Sequence, residues 1–105
     1  QEYGQCYKKE IFMPIAKIFW IKSEEGGKKQ LPGVNENFYP MLKLDTYYES
    51  MNWSLVLKNI KFINNHVTIS ELDFIMKNAP HELLSKGSNF ELYEGNHLVA
   101  RGRIE

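Results

Sequence analysis

The sequence predicts an all-β domain, a six-stranded antiparallel closed barrel with one short helical turn. Three observations predict it: short runs with period-two alternation of apolar residues, turn residues between the runs, and a single helix-like segment. With 105 residues, 43% of them hydrophobic, the chain can bury a core without disulfides or a metal. We expect residues 1–105 to form one domain, with 1–10 as a loosely held N-terminal segment.

The first strand is predicted at residues 15–22, where both faces of the alternation are largely apolar and rich in β-branched and aromatic residues. It ends in an acidic and lysine-rich turn around Gly26 and Gly27. A polar loop then runs to Pro32 and Gly33, which makes it a candidate surface feature.

The second strand is predicted at Met41 to Glu49, directly after Phe38-Tyr39-Pro40. Pro40 cannot donate a hydrogen bond within a sheet, so we expect it at a strand start or at an edge.

The third and fourth strands are predicted at residues 53–62 and from Val67 onward, joined by a tight hairpin at Asn64-Asn65. The apolar alternation slips between Ile69 and Leu72, which predicts a β-bulge on the fourth strand.

The helical turn is predicted at Asn78 to Leu84, with Pro80 near its first position and Gly87 as its stop. Residues 90–93 and 98–104 then alternate around Gly95-Asn96, a pair that favours a hairpin.

Composition and charge name no partner, and a local basic patch can still lie within the neutral total. The 13 basic and 13 acidic side chains cancel, so no net charge attracts nucleic acid or an anionic membrane. No apolar run approaches the roughly 20 residues of a membrane span. Cys6 is the sole cysteine, which favours a reducing compartment, and we expect the cytoplasm. The chain begins with Gln1 rather than methionine, so a preceding segment or a removed signal stays an open alternative.

The histidines, the cysteine and the carboxylates are not spaced in the sequence as catalytic or metal-binding residues usually are. His66, His81 and His97 are each about 15 residues apart, without the close pairing typical of metal ligands, and Cys6 lies far from all three. The carboxylates on strands and turns are more simply solvated residues. We therefore predict no enzyme, no catalytic residue, no metal and no cofactor.

Two kinds of surface residue are candidates for binding. Arg101 and Arg103 lie two apart on one predicted strand and so share a face, which suits an anion or partner patch and equally a solvated exterior. Four aromatic residues can stack on bases, fill the core or meet a protein: Tyr39, Tyr47, Tyr48 and Trp53.

Three segments share their order and spacing with a known domain. Residues 16–28 form a strand ending in an acidic, paired-glycine, basic turn, and residues 38–42 place an aromatic and proline segment before the next strand. Residues 87–104 form a closing hairpin with Glu-Gly at its turn. Together, from about Ile11 to Glu105, they resemble the C-terminal β-barrel (third) domain of elongation factor Tu and related translation GTPases.

The resemblance implies a docking domain that also contacts the T-stem of aminoacyl-tRNA. We expect no GTP binding here, because this chain has no glycine-rich phosphate loop. By motif position, the ligand-facing residues are Lys28, Lys29, Tyr39, Met41, Glu94 and Gly95. Tyr39 stands where the family has arginine and Met41 where it has glutamine, which favours a protein surface over a phosphate backbone.

Our first hypothesis is a stand-alone, non-enzymatic module that docks a protein partner. Lysine outnumbers arginine 11 to 2, which indicates an AT-rich genome and favours a small bacterial protein. An immunity-type protein that covers a toxin, or a regulatory protein, is one version, argued by class analogy. The alternative is a translation-linked RNA-binding domain that contacts tRNA.

Overall fold

The computed structural model describes residues 13–45 and 50–105. Within them, seven strands form one sheet: β1 Ile15–Trp20, β2 Asn37–Phe38, β3 Met41–Asp45, β4 Ser50–Asn64, β5 Val67–Phe74, β6 Asn89–Glu94 and β7 His97–Ile104. The order β3-β6-β7-β1-β5-β4 closes where β4 returns to β3, and every strand pair is antiparallel. The predicted six-stranded closed barrel is confirmed, with β2 as a short extra strand beside β4.

The first strand follows its predicted alternation and leads into a turn that needs both glycines. Ala16, Ile18 and Trp20 lie in the core. After a 3-10 turn at Ser23–Glu25, Gly26 has a φ of 96°, which glycine adopts without strain. A Cβ on Gly27 would lie 1.8 Å from the carbonyl oxygen of Ile21, so this position needs glycine because the backbone packs against it.

Pro40 lies between two strands that run along the same side of β4. β2 pairs with β4 at Lys58 and Leu57, and β3 pairs with it from Ser54 to Ser50. The carbonyl of Pro40 accepts a hydrogen bond from the Leu55 amide at 2.9 Å. Pro40 therefore starts a strand without interrupting the sheet, as predicted.

Some predictions fall outside the described residues. They concern the loosely held segment 1–10 with Cys6, and the end of the predicted second strand at residues 46–49, which includes Tyr47 and Tyr48.

The predicted bulge on β5 is wrong. β5 alternates without a break, with Thr68, Ser70, Leu72 and Phe74 inside the barrel. The register shifts lie instead on β4, between Asn59 and Lys61 and between Phe62 and Asn64. The apolar pattern of β5 slips because Thr68 and Ser70, two polar residues, occupy inward positions.

A line of hydrogen bonds satisfies these polar groups. Trp20 Nε1 donates to Thr68 Oγ1 at 2.9 Å, and Thr68 Oγ1 lies 3.0 Å from Ser70 Oγ. Ser70 Oγ donates to Asn59 Oδ1 at 2.6 Å, and Asn59 Nδ2 donates to the Pro32 carbonyl at 2.8 Å. The line thereby ties the long loop after β1 to the core.

The β4–β5 hairpin turns at Asn65-His66, one residue after the predicted Asn64-Asn65, because Asn64 still pairs with Val67. The other two predicted turns are present. A 3-10 turn at His81–Leu83 lies within the predicted segment from Asn78 to Leu84. β6 and β7 form a hairpin in which Glu94 pairs with His97, and Gly95 has a φ of 61°. Among the described residues, no helix is long and apolar enough to cross a membrane.

Candidate binding surface

The turn after β1 and the turn between β6 and β7 lie at the same end of the barrel. Lys28 Nζ lies 3.0 Å from Glu94 Oε1 and 3.1 Å from Glu94 Oε2. The same ammonium group sits 4.8 Å from the centre of the Phe38 ring. Its side chain is 20% exposed. Lys28 therefore forms an ion pair with a carboxylate of this same chain.

Tyr39 is an exposed aromatic residue that directly follows Phe38 in the chain. It is 61% exposed, and Asn37 Nδ2 lies 3.4 Å from its hydroxyl oxygen. The residues on either side, Phe38 and the buried Pro40, anchor the backbone in the sheet. We call the group of Lys28, Phe38, Tyr39 and Glu94 the turn face. Lys29 lies next to it in the chain and is exposed.

Phe38 is the member of the turn face that is not among the predicted site residues. Its ring packs against Trp20 with centroids 5.8 Å apart, and it supports the Lys28 ammonium group. Aromatic residues before Pro40 are visible in the sequence, but a contact across a ten-residue separation from Lys28 has no local pattern that would predict it.

Met41 and Gly95 line one cleft of about 160 Å³, together with Tyr93 and Lys43. Met41 is half-buried, and the Ser54 hydroxyl contacts its sulfur at 3.2 Å. Met41 therefore forms a wall of the cleft, whereas Tyr39 projects from the surface.

Arg101 and Arg103 line an open groove of about 750 Å³. The register places Phe19, Arg101, Glu91 and Lys43 in one row across β1, β7, β6 and β3. We call this the basic groove; its lining residues are Phe19, Lys43, Asn89, Phe90, Glu91, Arg101, Gly102 and Arg103. Lys43 also lines the smaller cleft, so the groove and the cleft adjoin.

The three histidines lie on different elements of the fold. His81 Nδ1 lies 3.4 Å from Asp73 Oδ1, and its ring packs edge-on against Phe74. His66 lies in the β4–β5 hairpin and His97 begins β7. In residues 13–45 and 50–105, no three His, Cys, Asp or Glu side chains are placed to hold a metal ion.

No protein family model matches the sequence, and no curated protein matches it. Any functional assignment therefore depends on the surface chemistry described above.

Proposed function

We propose that this barrel is a non-enzymatic binding module that docks a protein partner through the turn face. The observation that carries the proposal is the large exposed ring of Tyr39, which directly follows Phe38 in the chain, while Phe38 contacts the ion-paired Lys28. Tyrosine combines a large apolar area with a hydroxyl group and is enriched among the residues that anchor protein interfaces.

The charge arrangement of the turn face favours protein over RNA. An RNA surface needs lysine or arginine side chains directed at phosphates. Here the Glu94 carboxylate already contacts the Lys28 ammonium group and would repel a phosphate beside it. A protein partner can instead pack on Tyr39 and leave the ion pair at the rim of the interface.

The concrete version that we favour is an immunity-type or regulatory protein of the bacterial cytoplasm. The lysine-rich composition and the resemblance to the third domain of elongation factor Tu, which is a docking domain, support it. The alternative, a tRNA-binding domain, draws support from the same resemblance and from the arginine pair in the basic groove.

The test is capture of a partner from extract of the native host, before and after ribonuclease treatment, followed by affinity measurement with the purified partner. Tyr39→Ala should weaken binding by about 2 kcal/mol, which is about 30-fold. The matched control is Phe62→Ala, which removes another exposed aromatic side chain, on the β4–β5 hairpin. Equal effects of the two substitutions would contradict docking through the turn face.

Charge reversal at Lys29 should act mainly on the association rate and on its salt dependence. Lys29 suits this measurement better than Lys28, because reversal at Lys28 would also place two carboxylates together.

A titration with bulk tRNA separates the two proposed functions. Electrostatic binding to RNA falls steeply with salt, with a slope near one unit per phosphate neutralised. We expect no tight binding at physiological salt. Micromolar or tighter binding under that condition would favour the RNA function.

A further inference from the structure

We propose that the basic groove binds an acidic peptide segment of a protein partner, with carboxylates opposite Arg101 and Arg103 and an apolar side chain against Phe19. This goes beyond docking at the turn face, since it assigns a second surface and the chemistry of the segment that occupies it.

The first support is the concentration of charge. Arg101, Arg103 and Lys43 line the groove, and Lys17 lies opposite Arg103 on β1. The lining residues include one carboxylate, that of Glu91. Three cations thus line the groove with one anion, in a chain whose net charge is zero, and Lys17 lies beside them, so this face is complementary to an anionic ligand.

The second support is the spacing of the two arginines. They lie two residues apart on β7 and both side chains are exposed on the outer face. Such residues are about 6.6 Å apart along a strand, the same repeat that separates alternate side chains of an extended peptide. A carboxylate at every second peptide position can therefore meet each guanidinium in turn.

Both guanidinium groups have N–H groups that can donate to a ligand. The Arg101 side chain is 58% exposed, and its Nε lies 3.4 Å from Glu91 Oε2, which leaves its terminal nitrogens for a ligand. Arg103 has no ion-pair partner among the described residues. Both arginines can thus donate to incoming carboxylates.

Glu91 and Phe19 favour a peptide over a nucleic acid. Glu91 lies between Arg101 and Lys43 in the row across the sheet, where it would repel a continuous phosphate backbone. Its Oε1 accepts from the Tyr93 hydroxyl and its Oε2 contacts Arg101, and each oxygen keeps a second lone pair that can accept from a peptide amide. Phe19 is 44% exposed at the end of the same row, next to the Lys17 ammonium group at 5.7 Å from its ring centre. It offers an apolar contact between charged residues.

The dimensions of the groove fit such a ligand. Its volume of about 750 Å³ lies in the usual range for ligand sites, roughly 300 to 1,000 Å³. The groove is an open depression on the barrel wall, which an extended segment can reach without rearrangement of the strands.

The experiment uses the purified protein and synthetic probes, so its outcome does not depend on whether a host partner is found. The probe is a short fluorescent peptide in which glutamate alternates with leucine or glycine, followed by anisotropy. A glutamine version of the peptide and a single-stranded oligo(dT) of equal charge serve as comparison probes. We expect the glutamate peptide to bind, the glutamine version not to bind, and oligo(dT) to bind more weakly than the glutamate peptide.

Matched variants distinguish binding in the basic groove from nonspecific electrostatic attraction to the protein. Arg101→Gln with Arg103→Gln should reduce affinity for the glutamate peptide at least about tenfold. Lys61→Gln with Lys77→Gln removes two positive charges from exposed positions outside the groove and should leave the affinity within about twofold. Lys43→Gln provides a second groove variant should the arginine double variant fold poorly.

Three results would overturn the proposal. They are equal losses in the arginine and lysine double variants, tighter binding of oligo(dT) than of the glutamate peptide, and no binding of the glutamate peptide at low salt.

Discussion

Ser70 donates its hydroxyl hydrogen to Oδ1 of Asn59 across 2.6 Å inside the barrel, where both residues are fully buried. Because this bond uses the single hydrogen of Ser70, the bond between the two hydroxyl groups must be donated by Thr68. Thr68 in turn accepts from Trp20, and Asn59 donates to Pro32. The hydrogen bonds thus all run in one direction, from Trp20 to the Pro32 carbonyl, and each of these buried polar groups has a partner.

Ser70→Ala should destabilise the barrel, because it leaves the Asn59 carbonyl oxygen and the Thr68 hydroxyl without their buried partner. The cost of such an unsatisfied group is about 1–3 kcal/mol. For a domain of this size each kcal/mol lowers the melting temperature by roughly 4–8 °C. Thermal unfolding measures the change.

Ser85→Ala is the control for that measurement, because Ser85 is exposed and its hydroxyl contacts that of Ser88 at the surface. Its effect should stay within about 0.5 kcal/mol. Similar melting temperatures for the two variants would mean that the buried line contributes little.

The predicted strands are present, and the error is a bulge placed on β5, where the inward positions are polar. The alternation of β1 places Ala16, Ile18 and Trp20 inside, as the sequence predicts. On β5 the inward Thr68 and Ser70 resemble solvent-facing residues, and only their partners on other strands explain their burial. Such long-range hydrogen bonds leave no periodic signal in one sequence.

The contact between Lys28 and Glu94 has no signal in the sequence pattern. The resemblance implies that Lys28 and Glu94 face one ligand, and the structure places them in contact. That contact changes their chemistry, since each neutralises the other. The basic groove combines residues of β1, β3, β6 and β7, and its assembly depends on strand order that the sequence pattern does not specify.

Gly27→Ala should be strongly destabilising. Its Cβ would lie 1.8 Å from the Ile21 carbonyl oxygen and 2.5 Å from the Ile21 carbonyl carbon, so the backbone must move. Overpacking of this kind typically costs about 1–3 kcal/mol, and a clash with backbone belongs at the upper end. Chemical denaturation gives the free energy of unfolding.

Gly33→Ala is the matched control, because the nearest atom to its Cβ would be the flexible carboxylate of Glu36 at 3.8 Å. We expect a change within about 0.5 kcal/mol. A Gly27→Ala variant as stable as the Gly33→Ala variant would refute the close approach of the turn to Ile21.

Chelation should leave stability unchanged. The described residues hold no group of three potential metal ligands, and a protein stabilised by a bound metal loses that stabilisation when the ion is removed. Melting curves with and without EDTA make the comparison, and the melting temperatures should agree within experimental error. A fall of several degrees that is reversed by added zinc would contradict the prediction.

The Lys28–Glu94 pair should contribute little to stability and much to the choice of ligand. The side chains are 20% and 51% exposed, so solvent screens the attraction. A double-mutant cycle with Lys28→Met and Glu94→Gln should give a coupling energy of about 0.2–1 kcal/mol that falls as salt increases. Coupling well above that range would mean that the pair is a structural anchor of the two turns.

The same Glu94→Gln variant distinguishes the two ligands of the turn face. The substitution releases the Lys28 ammonium group from its carboxylate, so the variant can gain about one phosphate contact. The slope of log affinity for tRNA against log salt concentration should then steepen by at most about one unit. One such contact does not create a binding site for RNA, and we expect tRNA affinity at physiological salt to remain weaker than micromolar. Micromolar binding by Glu94→Gln, but not by the unmodified chain, would show that the ion pair alone separates this surface from an RNA-binding one.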